Sequence, residues 1–123
     1  MWERDAVTMP RQSDVTVLDL DQLRDVCMED YELMREVVTA VIEDAHAHIP
    51  EIRQAVESAD RTRCARLAHY VKGACANAGA RSMAAILKSI EHHADAGDFS
   101  ACRDSLANLA VELERLSSEA AAI

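Results

Sequence analysis

Aromatic residues, glycine and proline are all scarce in this chain of 123 residues. It contains one Trp, two Tyr, one Phe, three Gly and two Pro. With so few turn-forming residues, a fold of many short strands joined by tight turns is disfavoured. Half of the residues are nonetheless hydrophobic, and the length is that of a single domain with one core. The composition therefore predicts a compact all-α protein.

Positive charge is also scarce, since 13 Lys and Arg face 22 Asp and Glu, for a net charge of −9. Such a surface repels nucleic-acid backbones and anionic membranes, so neither is an expected partner. No apolar run approaches the ~20 residues of a membrane span, and the N-terminus lacks the apolar segment of a signal peptide. We therefore expect a soluble, cytoplasmic protein.

The four cysteines are widely spaced and never form a C-x-x-C pair. They are Cys27, Cys64, Cys75 and Cys102. In a helical context this spacing favours buried, reduced thiols over disulfides or a zinc site.

Helical periodicity and capping residues predict an antiparallel four-helix bundle with a short additional N-terminal helix. Residues 1–17 are polar and are expected to form a flexible lead, residues 18–118 the bundle, and residues 119–123 a C-terminal tail. Asp19 followed by Gln22 resembles a capping box for the short helix, which ends near Cys27. The bundle helices are expected at about 30–59, 60–78, 81–96 and from 98 through at least 116.

Pro50 interrupts the long helical pattern without shifting its register. Proline removes the hydrogen bond to the carbonyl of His46, so a kinked helix is expected there. The alternative is two helices with a break at Ile49.

The segment from Asp60 to Ala80 carries the chemistry. At about 100° per residue, one face of this helix is apolar and is expected in the core: Cys64, Leu67, Val71, Ala74, Cys75 and Ala78. His69 lies on the opposite side, about 160° from Leu67 and from Val71. A bundle helix with this inward stripe presents His69 to solvent.

Small residues surround His69 within one or two turns. Ala65, Gly73 and Ala76 leave the imidazole above a flat surface, which Thr62 and Asn77 extend. Gly73 lies in mid-helix, where it costs about 1 kcal/mol relative to Ala. Close approach of another protein surface is a gain that offsets this cost, so these five residues are predicted to form a docking face.

Arg66 and Lys72 flank His69 in an otherwise acidic chain. Both cations disfavour the imidazolium form and so favour a neutral, nucleophilic ring. Both can also pair with phosphoryl oxygens. A nucleophile, local positive charge and a clear docking face together predict a site that accepts a phosphoryl group.

The same stretch, L-A-H-Y-V-K-G-A-C-A-N-A-G-A from Leu67 to Ala80, resembles the signature of histidine-containing phosphotransfer (HPt) domains, A-H-x-L-K-G followed by A-N-x-G-A. The resemblance extends more weakly over about Val17–Leu116. Val71 replaces the commoner Leu, a mild change on the core side.

This resemblance implies that His69 accepts and donates the phosphoryl group, supported by Lys72 and Arg66, with docking room at Gly73 and a partner or helix-end role for Asn77. It implies receiver domains of response regulators and a hybrid sensor histidine kinase as partners. The Mg²⁺ would lie in the receiver, so no cofactor of this chain's own is expected. No Gly-rich nucleotide motif is present, so we expect a stoichiometric phosphocarrier without ATP-dependent kinase activity. The exposed active face favours a monomer.

Two other functions remain open from the residues. The same fold could dock a receiver and regulate it without phosphotransfer. A metal-storage bundle is suggested by one E-x-x-H motif, Glu43 to His46. It is the weaker alternative, because the metal sites of such bundles need a second E-x-x-H motif, which is missing. The acidic positions, including Glu112 and Glu114, are interpreted as solvated faces.

Overall fold

The computed structural model describes residues 15–123, and these form five α-helices. They are α1 (Leu20–Val26), α2 (Tyr31–Glu57), α3 (Arg61–Asn77), α4 (Arg81–Asp95) and α5 (Phe99–Ala120). Helix α2 packs against α3, α3 against α4, α4 against α5, and α5 against α2. The four long helices thus close a ring around one core, and the predicted all-α bundle with a short leading helix is confirmed.

Aspartates begin four of the five helices. The side chains of Asp19, Asp30, Asp60 and Asp98 each accept hydrogen bonds from backbone N–H groups of the first turn. An aspartate at this position satisfies a donor that the helix itself leaves without a partner. These caps explain why the helix starts were readable from the sequence.

The capping box predicted at Asp19 forms only in part. Asp19 accepts from the N–H of Gln22 as expected, but the Gln22 side chain does not return to the N–H of Asp19. It donates instead to the carbonyl of Ala76, at 2.7 Å, while Asp19 donates to the carbonyl of Gly79. Helix α1 is therefore fastened to the C-terminal end of α3.

Gly79 makes this fastening possible. Its φ of +82° lies in the left-handed region, and a Cβ at this position would lie 2.9 Å from the carbonyl oxygen of Asp19. Both the backbone conformation and the close approach require glycine.

Helix α2 runs unbroken through Pro50. The alternative of two helices divided at Ile49 is therefore wrong. Pro50 lies on the exposed side of the helix.

The core was largely predicted, with one shift on α3. The fully buried α3 positions are Cys64, Ala68, Val71 and Cys75, whereas Leu67 and Ala74 are only half-buried. The inward stripe is thus rotated toward Ala68, because this side of α3 meets α4 as well as α2. All four cysteines are free and buried, as expected.

Glu112 corrects the view of the acidic residues as solvated. This glutamate is only 4% exposed, and its Oε2 accepts from Arg115 at 3.0 Å. Its position on α5 lies beside the apolar stripe rather than opposite it, so neighbouring helix packing covers it.

The ends of the predicted domain also differ in detail. Residues 1–14 of the predicted lead lie outside the described residues. Val17 is buried and the carbonyl of Thr16 accepts from Ser82, so packing begins before residue 18. At the other end α5 continues to Ala120, two residues into the predicted tail. Within residues 15–123, no helix has the length and apolarity to cross a membrane.

Candidate functional site

His69 stands on the outer surface of α3, with its side chain 67% exposed. The buried stripe through Ala68 and Val71 fixes the orientation of the helix, and His69 follows on the side that turns toward α4. The predicted exposure of this histidine is confirmed.

Glu91 of α4 binds the imidazole. Its Oε2 lies 3.0 Å from Nδ1 of His69. An ionised carboxylate can only accept hydrogen bonds, so Nδ1 carries the proton in this contact. In the neutral ring Nε2 is then the nitrogen with the available lone pair. The contact thus selects the tautomer and orients the ring.

The same carboxylate holds Lys72, whose Nζ donates to Oε1 of Glu91 at 2.8 Å. Lys72 and Glu91 are both about three-quarters buried, with exposed fractions of 26% and 25%. Glu91 therefore bridges the imidazole and the ammonium group, and Lys72 is positioned beside His69 through this carboxylate.

Opposing effects act on the pKa of Glu91. Partial burial would raise it, but the hydrogen bond and charge of Lys72, followed by those of His69, lower it more. The net effect is a pKa below the usual value of a glutamate, which keeps Glu91 ionised as the acceptor for both neighbours.

Sequence reasoning missed Glu91, although a signal was present. His69 and Glu91 each lie eleven residues from Ala80, which stands at the turn between α3 and α4. In an antiparallel helix pair, residues equidistant from the turn face each other. Applied to this hairpin, that rule places Glu91 opposite His69.

The other predicted site residues lie along the same outward strip of α3. Thr62, Arg66, Gly73, Ala76 and Asn77 are exposed, and Ala65 is half-buried. Arg66 and Ala65 line a shallow depression together with His69, Glu91 and Asp95. The structure thus places both cations near the histidine, but only Lys72 has a contact that fixes its position.

Gly73 has free space around it. A Cβ added there would meet no atom within 4 Å, apart from the helix's own neighbouring backbone. Packing within the described chain therefore does not require glycine at this position. Ala76 and Asn77 do have contacts within the chain, because their backbone carbonyls accept hydrogen bonds from the Gln22 side chain of α1.

No metal centre is evident in the described part of the chain. Among residues 15–123, no group of three or more His, Cys, Asp or Glu side chains is arranged to hold a metal ion. His46 is exposed on α2.

A family model of known proteins matches most of this chain. The family model described as Hpt domain matches residues 36–119, which is more than half of the chain and includes α3, α4 and most of α2 and α5. No curated protein and no solved structure matches.

Proposed function

Because this chain belongs to the Hpt domain family, whose members carry phosphoryl groups on histidine in two-component signalling, we propose that it relays phosphate through His69. The donors and acceptors are aspartates of receiver domains. The observation that supports this most directly is the exposed imidazole whose Nδ1 is bound to Glu91.

In the first half-reaction the lone pair of Nε2 attacks the phosphorus of a receiver's phospho-aspartate. A P–N bond forms, the P–O bond to the aspartate breaks, and the aspartate leaves as a carboxylate. The ring becomes positively charged, and Glu91 stabilises this charge through the proton on Nδ1. In the second half-reaction another receiver's aspartate attacks the phosphorus and the P–N bond breaks.

Lys72 has a changing role in this cycle. Its ammonium group is held by Glu91 before transfer, and the oxygens of the incoming phosphoryl group then compete for it. Arg66, exposed on the same strip, is a second cation for those oxygens. The Mg²⁺ expected from the resemblance belongs to the receiver, and the roles assigned here use only this chain's own side chains.

The test uses two phosphoryl donors. Phosphoramidate is a small donor that needs no docking face, whereas a phosphorylated receiver domain needs one. Wild type is compared with His69→Gln and with His46→Gln, a matched control at another exposed histidine. Wild type and His46→Gln are expected to take an acid-labile, base-stable label from both donors. His69→Gln is expected to take no label from either donor.

Phosphorus NMR of the labelled protein should show phosphate on Nε2. Label that persists in His69→Gln, or phosphate on Nδ1, would contradict the proposal. Binding of receivers without any label on wild type would instead indicate a docking module that regulates receivers without transfer.

A further inference from the structure

A second cluster of contacts lies beside His69, on the side of α3 that faces α2. The hydroxyl of Tyr70 donates to Oδ2 of Asp44 at 3.1 Å, and its ring centroid lies 5.0 Å from that of His48. His48 is itself held, because its Nδ1 lies 2.8 Å from the carbonyl oxygen of Asp44. The Tyr70 ring is thus fixed at its hydroxyl and along its side.

Tyr70 is nevertheless 53% exposed. Among residues 15–123, the other large hydrophobic side chains with this degree of exposure lie on α1, α2, α5 or the turn between α1 and α2. Tyr70 is therefore the large apolar side chain that α3 offers to solvent beside His69. The hydrogen bond to Asp44, together with the charge of Asp44, raises the pKa of Tyr70, so its hydroxyl remains a donor at neutral pH.

The His69–Glu91 contact and the Tyr70–Asp44 contact lie on opposite sides of the exposed ridge of α3, the line of outward residues on which Gly73 lies. Consecutive helical residues diverge by about 100°, so His69 turns to Glu91 on α4 and Tyr70 turns to Asp44 on α2. Gly73, one turn further along, leaves open space on the ridge between them. A partner that reaches the imidazole can therefore descend over Gly73 onto the Tyr70 ring.

A fixed, half-exposed tyrosine has the properties of an interface anchor. It offers a large apolar area, and because its rotamer is already held, little conformational entropy remains to be lost on binding. Its hydroxyl already donates to Asp44, so the contact that remains for a partner is chiefly an apolar one with the ring.

We infer that Tyr70 is a docking anchor on which the receiver domain packs an apolar side chain while its phospho-aspartate reaches His69. The docked receiver therefore covers the α2 side of the ridge, next to Asp44, and receivers that carry an apolar residue beside the phosphorylation site are preferred. This inference rests on the proposed function of His69.

The test separates docking from chemistry. Wild type, Tyr70→Ala and Tyr70→Phe are labelled by phosphoramidate and, separately, by a panel of phosphorylated receiver domains at increasing concentration. Tyr31→Ala is the matched control, since Tyr31 is 54% exposed and lies on α2 near the end of α5 rather than on α3.

For Tyr70→Ala we expect about a tenfold increase in the half-saturating concentration of the best receiver, the size of a moderate interface anchor. Its maximal transfer rate and its labelling by phosphoramidate should stay within about twofold of wild type. Tyr70→Phe and Asp44→Ala both keep the ring but remove the hydrogen bond that holds it, so each should give a similar increase that is well below tenfold. Tyr31→Ala should remain close to wild type.

An unchanged half-saturating concentration in Tyr70→Ala would overturn the inference and leave the proposed function intact. A lower maximal rate at unchanged half-saturation would also overturn it, because Tyr70 would then act on the chemistry. Wild type that takes no label from either donor would refute the proposed function and this inference with it. If Tyr70→Ala fails to fold, Tyr70→Phe still tests the inference. A tenfold increase in the half-saturating concentration of the receiver for a folded Tyr70→Phe variant would contradict a contact with the ring.

Discussion

Replacing Gly73 by alanine should make the protein more stable and a poorer phosphoryl carrier. Glycine in a helix interior costs about 0.5–1 kcal/mol relative to alanine, because it has more conformational freedom to lose on folding. The new Cβ would meet no atom within 4 Å, so no steric penalty offsets this gain. The free energy of unfolding should rise by about 0.5–1 kcal/mol, which corresponds to about 2–5 °C in melting temperature for a domain of this size.

The same methyl group should obstruct a partner. Gly73 lies one turn from His69 on the exposed strip of α3, so a receiver that brings its aspartate to Nε2 passes close to it. A displacement of about 1 Å at the reacting atoms can reduce a transfer rate by about a hundredfold. We expect transfer from a phosphorylated receiver to fall by about tenfold to a hundredfold, and labelling by phosphoramidate to stay unchanged.

The stability is measured by urea denaturation followed by circular dichroism, and the transfer rate with a radiolabelled receiver. Gly97→Ala is the matched control, because it makes the same chemical change at a residue with a φ of +76° at the end of α4. There alanine is strained, so we expect a loss of about 1 kcal/mol of stability and no effect on transfer. A Gly73→Ala variant that is less stable than wild type would refute the conclusion that a Cβ fits at this position without a clash. A Gly73→Ala variant that is more stable but transfers phosphate at the wild-type rate would refute the prediction that Gly73 lies on the docking face.

Three further predictions concern stability and thiol chemistry. Because the pKa of Glu91 is lowered, the stability that its ionised form contributes is complete above about pH 4.5 and is lost as the pH falls through the lowered pKa. The difference in free energy of unfolding between wild type and Glu91→Gln, measured by urea denaturation, should therefore become smaller in acid. A difference that does not change with pH would contradict the ion pair. Burial raises the pKa of Cys64 and of Cys75 to about 12, so iodoacetamide at about pH 8 should label them only in denaturant; labelling of the folded protein at the rate of a free thiol would contradict this. Asp60→Ala removes the acceptor for the N–H of Arg63 and should cost about 1 kcal/mol in urea denaturation, whereas an unchanged midpoint would show that the cap contributes nothing.

The exposed position of His69 was predictable because the evidence for it is local. Asp60 caps the first turn of the helix that carries His69, and Gly79, with its φ of +82°, follows the last turn. Both signals are therefore next to this helix in the sequence. The apolar stripe then determines which side of this helix is buried, and His69 lies well away from it. The errors in that stripe are small: Ala68 is buried, whereas Leu67 and Ala74, which were assigned to the core, are half-buried.

The residues that contact His69 were harder to predict from the sequence. Glu91 lies 22 residues further along the chain. Its equal distance from the turn at Ala80 indicates that it faces His69, but the hydrogen bond itself depends on how α3 and α4 pack. Sequence placed Glu112 on a solvated face, whereas the packing of α5 against its neighbours buries it. Neither contact follows from the spacing of residues on a single helix.

By itself the sequence determined the helices, their caps, the inward faces and the exposure of His69, because these depend on interactions within a few residues. Only the tertiary structure decided which nitrogen of His69 is free, how Lys72 is held, and that Tyr70 is anchored to Asp44 beside the site. Those features depend on atoms brought together from different helices, and the orientation of one helix against another is settled by the packing of the whole core.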